Sequence, residues 1–339
     1  YGRARIGATA GFAAGWAFTA GKISSLVAMA LTFGAYAVPG QPRLGALAAV
    51  IALTAVNLAG ITRTATAAKV GAVLVAVVLL AIAGATIGSS ATDSGNLTPV
   101  TGYSGMQGVL GGAGIMFFAF AGYARIATLG EEVRDPKVTI PRAVPIALAT
   151  AFVLYALAIG GSLLVLGPQG LADSSAPLAD AVDAAGAGWL APFVRAGAAV
   201  GALGVLLSLL AGVARTIFAM ADDRELPHLL SAVHGGRRVP HIAQLAVGTI
   251  VAVLVLFVPT LAAIATSSVC ILTYYSIAHL AALRLKPEDG RPLLLAPFGL
   301  FGCAAIGLSL PGEDVLAGLG LIALGLLGRA LALSFSGRR

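Results

Sequence analysis

Apolar residues along this chain fall in long continuous runs separated by short polar breaks. Ten runs can be read: Ile6 to Ala37, Leu44 to Ile61, Val70 to Ile87, Val109 to Thr128, Ala143 to Leu166, Trp189 to Ala219, His241 to Val258, Leu261 to Leu283, Leu293 to Leu310 and Val315 to Leu333. Crossing the hydrocarbon of a bilayer takes roughly 20 predominantly apolar residues. Each run is therefore expected to form one spanning helix, since the runs are too continuous for the alternating strands of a barrel. Glycines inside several runs fit this reading, because neighbouring helices satisfy the backbone they loosen.

The charges between the runs alternate. One set of breaks holds Arg3, Arg5, Arg63, Lys69, Arg134, Lys137, Arg142, Arg215, Arg224, Arg237, Arg238, Arg284, Lys286, Arg291, Arg329, Arg338 and Arg339, 17 of the 21 basic residues. The intervening breaks hold Asp93, Asp173, Asp180, Asp183, Glu313 and Asp314, against only Arg43 and Arg195. Basic loops stay in the cytoplasm. Both Tyr1 and Arg339 are thus expected on the cytoplasmic side of the cell membrane, with Gly88 to Gly108 and Gly167 to Gly188 as the long external loops. The second of these contains a short amphipathic piece, Leu178 to Ala184.

Composition closes off other classes. Hydrophobic residues make up 58% of the 339 and charged residues 10%, whereas a soluble domain carries about 25% charge. A soluble globule is excluded, and the topology accounts for the net charge of +7 without nucleic acid. Cys270 and Cys303 lie inside apolar runs and form no disulfide framework or metal spacing. His228, His234, His241 and His279 show no metal spacing either. No nucleophile, phosphate loop or paired carboxylates stand out, so the chain does not read as an enzyme. It opens at Tyr1 without the basic and apolar order of a signal peptide, and is expected to lack an N-terminal portion.

The fourth run is the most informative. Gly111-Gly112-Ala113-Gly114 precedes Met116-Phe117-Phe118-Ala119-Phe120-Ala121-Gly122-Tyr123, and Arg125 follows. Gly122, among bulky aromatics, permits a local break of the helix. A break would free backbone groups for a polar ligand beneath aromatic cover. The alternative is ordinary glycine packing against a neighbouring helix.

These residues resemble a known family. Phe117 to Tyr123, with Gly130-Glu131-Glu132-Val133-Arg134-Asp135-Pro136 and Ile140-Pro141-Arg142-Ala143 at fixed distance, is similar to the sixth helix and following loop of the amino acid, polyamine and organocation permease superfamily. Gly11-Phe12-Ala13-Ala14-Gly15-Trp16 resembles its third helix and Val56-Asn57-Leu58-Ala59-Gly60 its fourth. Arg215-Thr216-Ile217-Phe218-Ala219-Met220, with Leu226-Pro227 and Val239-Pro240, resembles the end of its eighth, and Tyr274-Tyr275-Ser276 its tenth. The resemblance implies an all-α inverted five-helix-repeat transporter holding ten of an expected twelve helices. Residues 1–87 would be the remnant of the first repeat, residues 108–283 the second, and residues 293–339 two C-terminal helices. The first helix, whose glycine-rich break holds the substrate carboxylate in this family, would precede Tyr1.

Carried over by position, the carbonyls of Phe118, Ala119, Phe120 and Ala121 would receive the substrate ammonium, with Gly122 allowing the break and Phe120 as an aromatic lid. Phe117 and Phe118 face either this site or lipid and core. Tyr274, Tyr275 and Ser276 could line the cavity, or the two tyrosines could serve as interfacial anchors. Ser208 stands where sodium-coupled relatives hold a cation, though a lone serine commonly bonds its own helix. Arg125 either closes an inner gate with an acidic partner or snorkels to the interface.

Lys22 stands out without the family. It sits near the middle of a run free of other charge from Ile6 to Gln41, and a mid-bilayer lysine costs roughly 2.5 to 3.5 kcal/mol on the gentlest scale. It must face protein or water. Gly11, Gly15, Thr19, Lys22, Ser25 and Met29 share one side at helical spacing, pointing into the bundle. Lys22 is read as carrying the coupling proton, or as an ammonium replacing a bound sodium ion; a structural cap on a broken helix is the alternative. Some proton-coupled relatives place a lysine in the fifth helix, a position that counts to Val75 here.

The expectation is a secondary transporter that moves an amino acid or related amine by alternating access, coupled to protons, with no organic cofactor and no metal. Its partners would be the amino acid and the lipid bilayer. Two readings compete: an inactive or regulatory transporter fragment, and a polytopic membrane transferase, for which no acid or histidine constellation can be assembled at one membrane face.

Overall fold

The computed structural model describes residues 2–60, 65–98, 105–123, 133, 135–235, 239–285 and 295–336. All regular structure among them is helical. A single turn, Gly2–Arg5, leads into α1 (Ala8–Ala37), followed by α2 (Pro42–Leu58), α3 (Ala65–Ile87) and α4 (Gly105–Phe120). After these come α5 (Pro136–Asp173), α6 (Pro177–Ala184), α7 (Ala191–Asp222), α8 (His241–Phe257), α9 (Thr260–Leu283), α10 (Leu295–Leu308) and α11 (Gly312–Ser336). Among the described residues α1, α3, α5, α7, α9 and α11 are long and apolar enough to cross a membrane. The chain is a multi-pass membrane protein.

The other four apolar runs form shorter helices of 14 to 17 residues, and local chemistry sets several of the ends. Pro42 opens α2 at the position where a missing N–H costs nothing. Val258 precedes Pro259 and is extended, which stops α8. The amphipathic piece of the second long loop is α6, which buries Ala181 and packs Ala179 and Val182 in one cluster with Tyr36, Ile82 and Val194. The Tyr36 hydroxyl accepts from the Leu178 N–H at 3.3 Å, fastening α6 over the end of α1.

At the centre lies α1, packed by α9, α7, α2, α8 and α11. Lipid offers helices no hydrophobic reason to associate, so close backbone approach and interhelical hydrogen bonds must hold them. A Cβ on Gly21 would lie 2.9 Å from Cys270 Cβ and 3.2 Å from Ile271 Cγ1. One turn on, the hydroxyls of Ser25 and Ser267 meet at 2.8 Å. Thr19, Ser24, Ser25 and Thr32 also donate to carbonyls four residues back, so these hydroxyls are satisfied inside an apolar core. Leu26, Val50, Leu206, Leu210, Val247 and Val251 fill the space between α1, α2, α7 and α8. On the outside, Phe298 and Phe301 of α10 are 77% and 73% exposed, as lipid-facing side chains should be.

Near its end α5 breaks. Gly167 has φ of 68°, and Pro168 follows. The Leu164 carbonyl would ordinarily accept from the amide four residues on, but that residue is Pro168 and has none. The first long loop supplies the missing donors: the Asp93 N–H and the Asn96 side-chain amide both reach the Leu164 carbonyl at 3.0 Å. This loop is therefore a bracket on α5. Replacing Asn96 with alanine should lower the thermal unfolding midpoint in detergent, by the equivalent of about 1 kcal/mol. An unchanged midpoint would show that the Asp93 amide suffices.

Candidate functional site

The candidates joined by contacts lie on three helices, α1, α4 and α9. Gly114 of α4 lies against Leu310, so a Cβ there would come 2.8 Å from the Leu310 side chain. α-Helical bonding runs to Phe120 and then gives way to a 3₁₀ turn over Ala121–Tyr123. The change from α to 3₁₀ bonding gives the last carbonyls amides three residues on in place of those four residues on, and a 3₁₀ stretch within a longer apolar run marks a hinge or a site under strain. The change falls on the segment around Gly122. Ala121 is buried, while Ala119 and Gly122 are exposed.

The aromatic residues of α4 fan out in three directions. Phe117 meets Tyr275 of α9 edge-on, with ring centres 5.8 Å apart. Phe118 packs on the core between α1, α2, α7 and α8. Phe120 meets Tyr155 of α5 edge-on at 5.4 Å. Phe117 and Phe120 also border an open hollow of about 620 Å3 that Met116, Leu148, Phe152 and Ile306 help to line. Its walls are hydrocarbon. A second hollow of about 400 Å3, between α3 and α7 around Val77, Trp189 and Phe193, is equally apolar. Neither presents the polar groups a zwitterion needs.

Lys22 is the charged candidate of α1. It is the fifteenth of the 30 residues of α1, hence at mid-helix, and it is half-buried. Its ammonium lies 5.9 Å from the centre of the Phe18 ring, within reach of a cation–π attraction. Phe18 meets Tyr274 edge-on at 5.7 Å, Tyr274 lies 5.2 Å from Tyr275, and Tyr275 meets Phe117. A continuous aromatic path thus runs from the Lys22 ammonium through α9 to the end of α4, joining four of the residues singled out in sequence. Phe18 is the link missing from that set. Phe18 stands one helical turn before Lys22, so the spacing was there to be read.

Ser208, half-buried on α7, donates to the Gly204 carbonyl of its own helix at 3.0 Å. Arg125 lies outside the described residues, as do Glu131, Glu132 and Arg134. Among the described residues no three His, Cys, Asp or Glu side chains gather in a way that could hold a metal.

Comparison with known proteins agrees with this architecture. Residues 1–310 match the amino acid permease family. A Mycobacterium tuberculosis protein named as an uncharacterized transporter is 49% identical over 326 residues, covering 96% of this chain and 74% of its own. The branched-chain amino acid permease of Bacillus subtilis is 31% identical over 155 residues, 46% of this chain and 33% of its own. Human cationic amino acid transporter 4 is 31% identical over 200 residues, 59% of this chain and 31% of its own. The chain belongs to the amino acid permease family.

Proposed function

We propose that this protein carries an amino acid across the cell membrane by alternating access, with the proton gradient as its energy source. The observation that supports this reading most is the coincidence of two features. The α-helix of α4 gives way at Ala121, and the aromatic path from Lys22 arrives one turn earlier, at Phe117. In this reading the carbonyls of Phe118 to Ala121 accept hydrogen bonds from the substrate ammonium. Gly122 lets the chain turn away, Phe120 covers the site, and Tyr274 forms part of its wall. Lys22 exchanges the coupling proton, while Ser208 and Arg125 serve as a cation-side group and an inner gate. The basic ends of the helices face the cytoplasm. Residues 1–87 and 108–283 belong to the two repeats, which rock about the break.

The described wall is aromatic and aliphatic, with a lysine as its charge. A neutral side chain suits that surface, whereas a cationic one would meet like charge. The test is counterflow in proteoliposomes over a panel of neutral, acidic and basic amino acids. Exchange of neutral amino acids is expected, and Gly122→Val should reduce it about tenfold or more, because a branched side chain restricts the backbone at the break. Absence of exchange with every amino acid, from protein shown to be folded and inserted, would contradict the assignment.

A further inference from the structure

The charge at the middle of α1 has a seat. Lys22 and Phe18 stand one helical turn apart, so their side chains meet on one face of the helix. The ammonium lies over the Phe18 ring, 5.9 Å from its centre. A ring face carries negative charge density and attracts a cation, the more so where water is scarce. Phe18 and Lys22 are both half-buried, which places the pair between the exposed and the desolvated case.

The ring itself is held. Tyr274 of α9 meets it edge-on, with 5.7 Å between ring centres and 66° between planes, and Tyr274 leans on Tyr275 at 5.2 Å. Further along the same contact α1 and α9 are locked, by Gly21 against Cys270 and by the Ser25 and Ser267 hydroxyls at 2.8 Å. Phe18 is on one side of Lys22 and Ser25 on the other. The stretch of α1 that carries the lysine is therefore fixed to α9 at both ends. A lysine side chain is long and flexible, and an immobile ring face gives its ammonium one resting place.

The other ionisable groups on the helices around α1 are placed as follows among the described residues. α9 brings the Tyr274 and Tyr275 phenols and the Cys270 thiol to the same contact, while its His279 lies on Gly299 of α10. On α7, Arg215 is exposed on the side away from the buried Val213 and Ile217, and Arg195 and Asp222 are near the ends. α2 and α8 bring Arg43 and His241 in their first turns. On α11, Glu313 and Asp314 are in the first turn and Arg329 stacks on Phe12.

We infer that Phe18 is a positioning residue of the coupling site: its ring face seats the Lys22 ammonium and sets how readily that charge is given up. The seat follows from the geometry, and its consequence for transport rests on the reading of Lys22 as the proton carrier.

The test replaces Phe18 in the full chain by mono-, di- and trifluorophenylalanine, which keep the shape of the ring and drain charge from its face. In lipid nanodiscs at fixed pH, Lys22 is acetylated with limiting acetic anhydride and followed by peptide mass spectrometry, since only the neutral amine is a nucleophile. Acetylation of Lys22 should quicken with each fluorine, about fivefold in all, while that of the exposed Lys69 stays constant. Phe18→Leu, which removes the ring, should react at least as fast as the trifluoro form. A Lys22 rate that is flat across the fluorine series would overturn the seat, as would Phe18→Leu at the parent rate. Should Phe18→Leu fail to fold, the fluorine series decides alone. Acetylation needs no substrate, so a chain that exchanges no amino acid can still pass or fail this test. In proteoliposomes the pH dependence of gradient-driven uptake should shift in the order of fluorine number. An unmoved profile, with acetylation following the series, would overturn the part of Phe18 in coupling.

Discussion

Replacing Lys22 with glutamine should leave the protein folded and inserted while uptake stops responding to a pH gradient. Lys22 lies at the midpoint of the most buried helix, half-buried beside Phe18. Keeping an ammonium there costs several times the thermal energy even where protein and water replace lipid. A glutamine is one bond shorter and keeps hydrogen-bonding capacity without a titrating group. If the side chain only filled space or capped carbonyls, glutamine would preserve transport together with its pH profile. If it carries the coupling proton, gradient-driven uptake should fall to the rate seen without a gradient, on the order of tenfold, while counterflow at equal pH persists. An unchanged pH profile would assign coupling elsewhere, and loss of counterflow as well would move Lys22 from coupling to binding.

The second large effect concerns assembly. Substituting Gly21 with valine should strongly destabilise the bundle, because its Cβ would be pressed against Cys270 Cβ at 2.9 Å, Ile271 Cγ1 at 3.2 Å and the Ser267 carbonyl at 3.3 Å. Two of these contacts are at or next to backbone, so no flexible side chain can swing aside. Overpacking of this kind costs about 1 to 3 kcal/mol. Separating α1 from α9 also endangers the Ser25–Ser267 hydrogen bond, worth roughly another 1 kcal/mol. The expected result is a markedly lower thermal unfolding midpoint in detergent. Cys270→Gly, which deletes the opposing Cβ, should recover part of the loss from Gly21→Ala. Equal midpoints for parent and Gly21→Val would mean that α1 and α9 cross with more room than the structure has.

Much of this architecture was written in the apolar runs. α1, α8 and α9 begin and end within two residues of the runs that announced them, because a polar break beside proline or glycine is a strong local stop. α5 extends past its run at both ends, where Pro136 starts it and the helix continues after the Gly167 kink. The side chosen for α1 was only half legible. Gly15 and Thr19 do face α7 through Met220, yet Ser25 faces Ser267 of α9 and Gly11 is covered by Arg3. A helix enclosed by five others has no single inward face, so periodicity could not rank its residues. The charge partners were not legible at all. Arg3 and Glu225 are separated by most of the chain, and only the packing of α1 against α7 and α11 brings Arg329 to the same carboxylate. Phe120 shows the same limit: its place opposite Tyr155 depends on α5, whose Tyr155 comes about 35 residues further on.

The central claim is that α4 yields around Ala121 and Gly122 so that its own backbone can hold an amino acid. The most direct measurement is a cryo-EM map of the full chain in lipid nanodiscs with a neutral amino acid that it exchanges. The account predicts ligand density with its ammonium within hydrogen-bond distance of the carbonyls of Phe118 to Ala121, facing the Tyr274 and Tyr275 side of the bundle. Density showing α4 helical without interruption from Gly105 through Thr128, with the amino acid bound elsewhere, would contradict it.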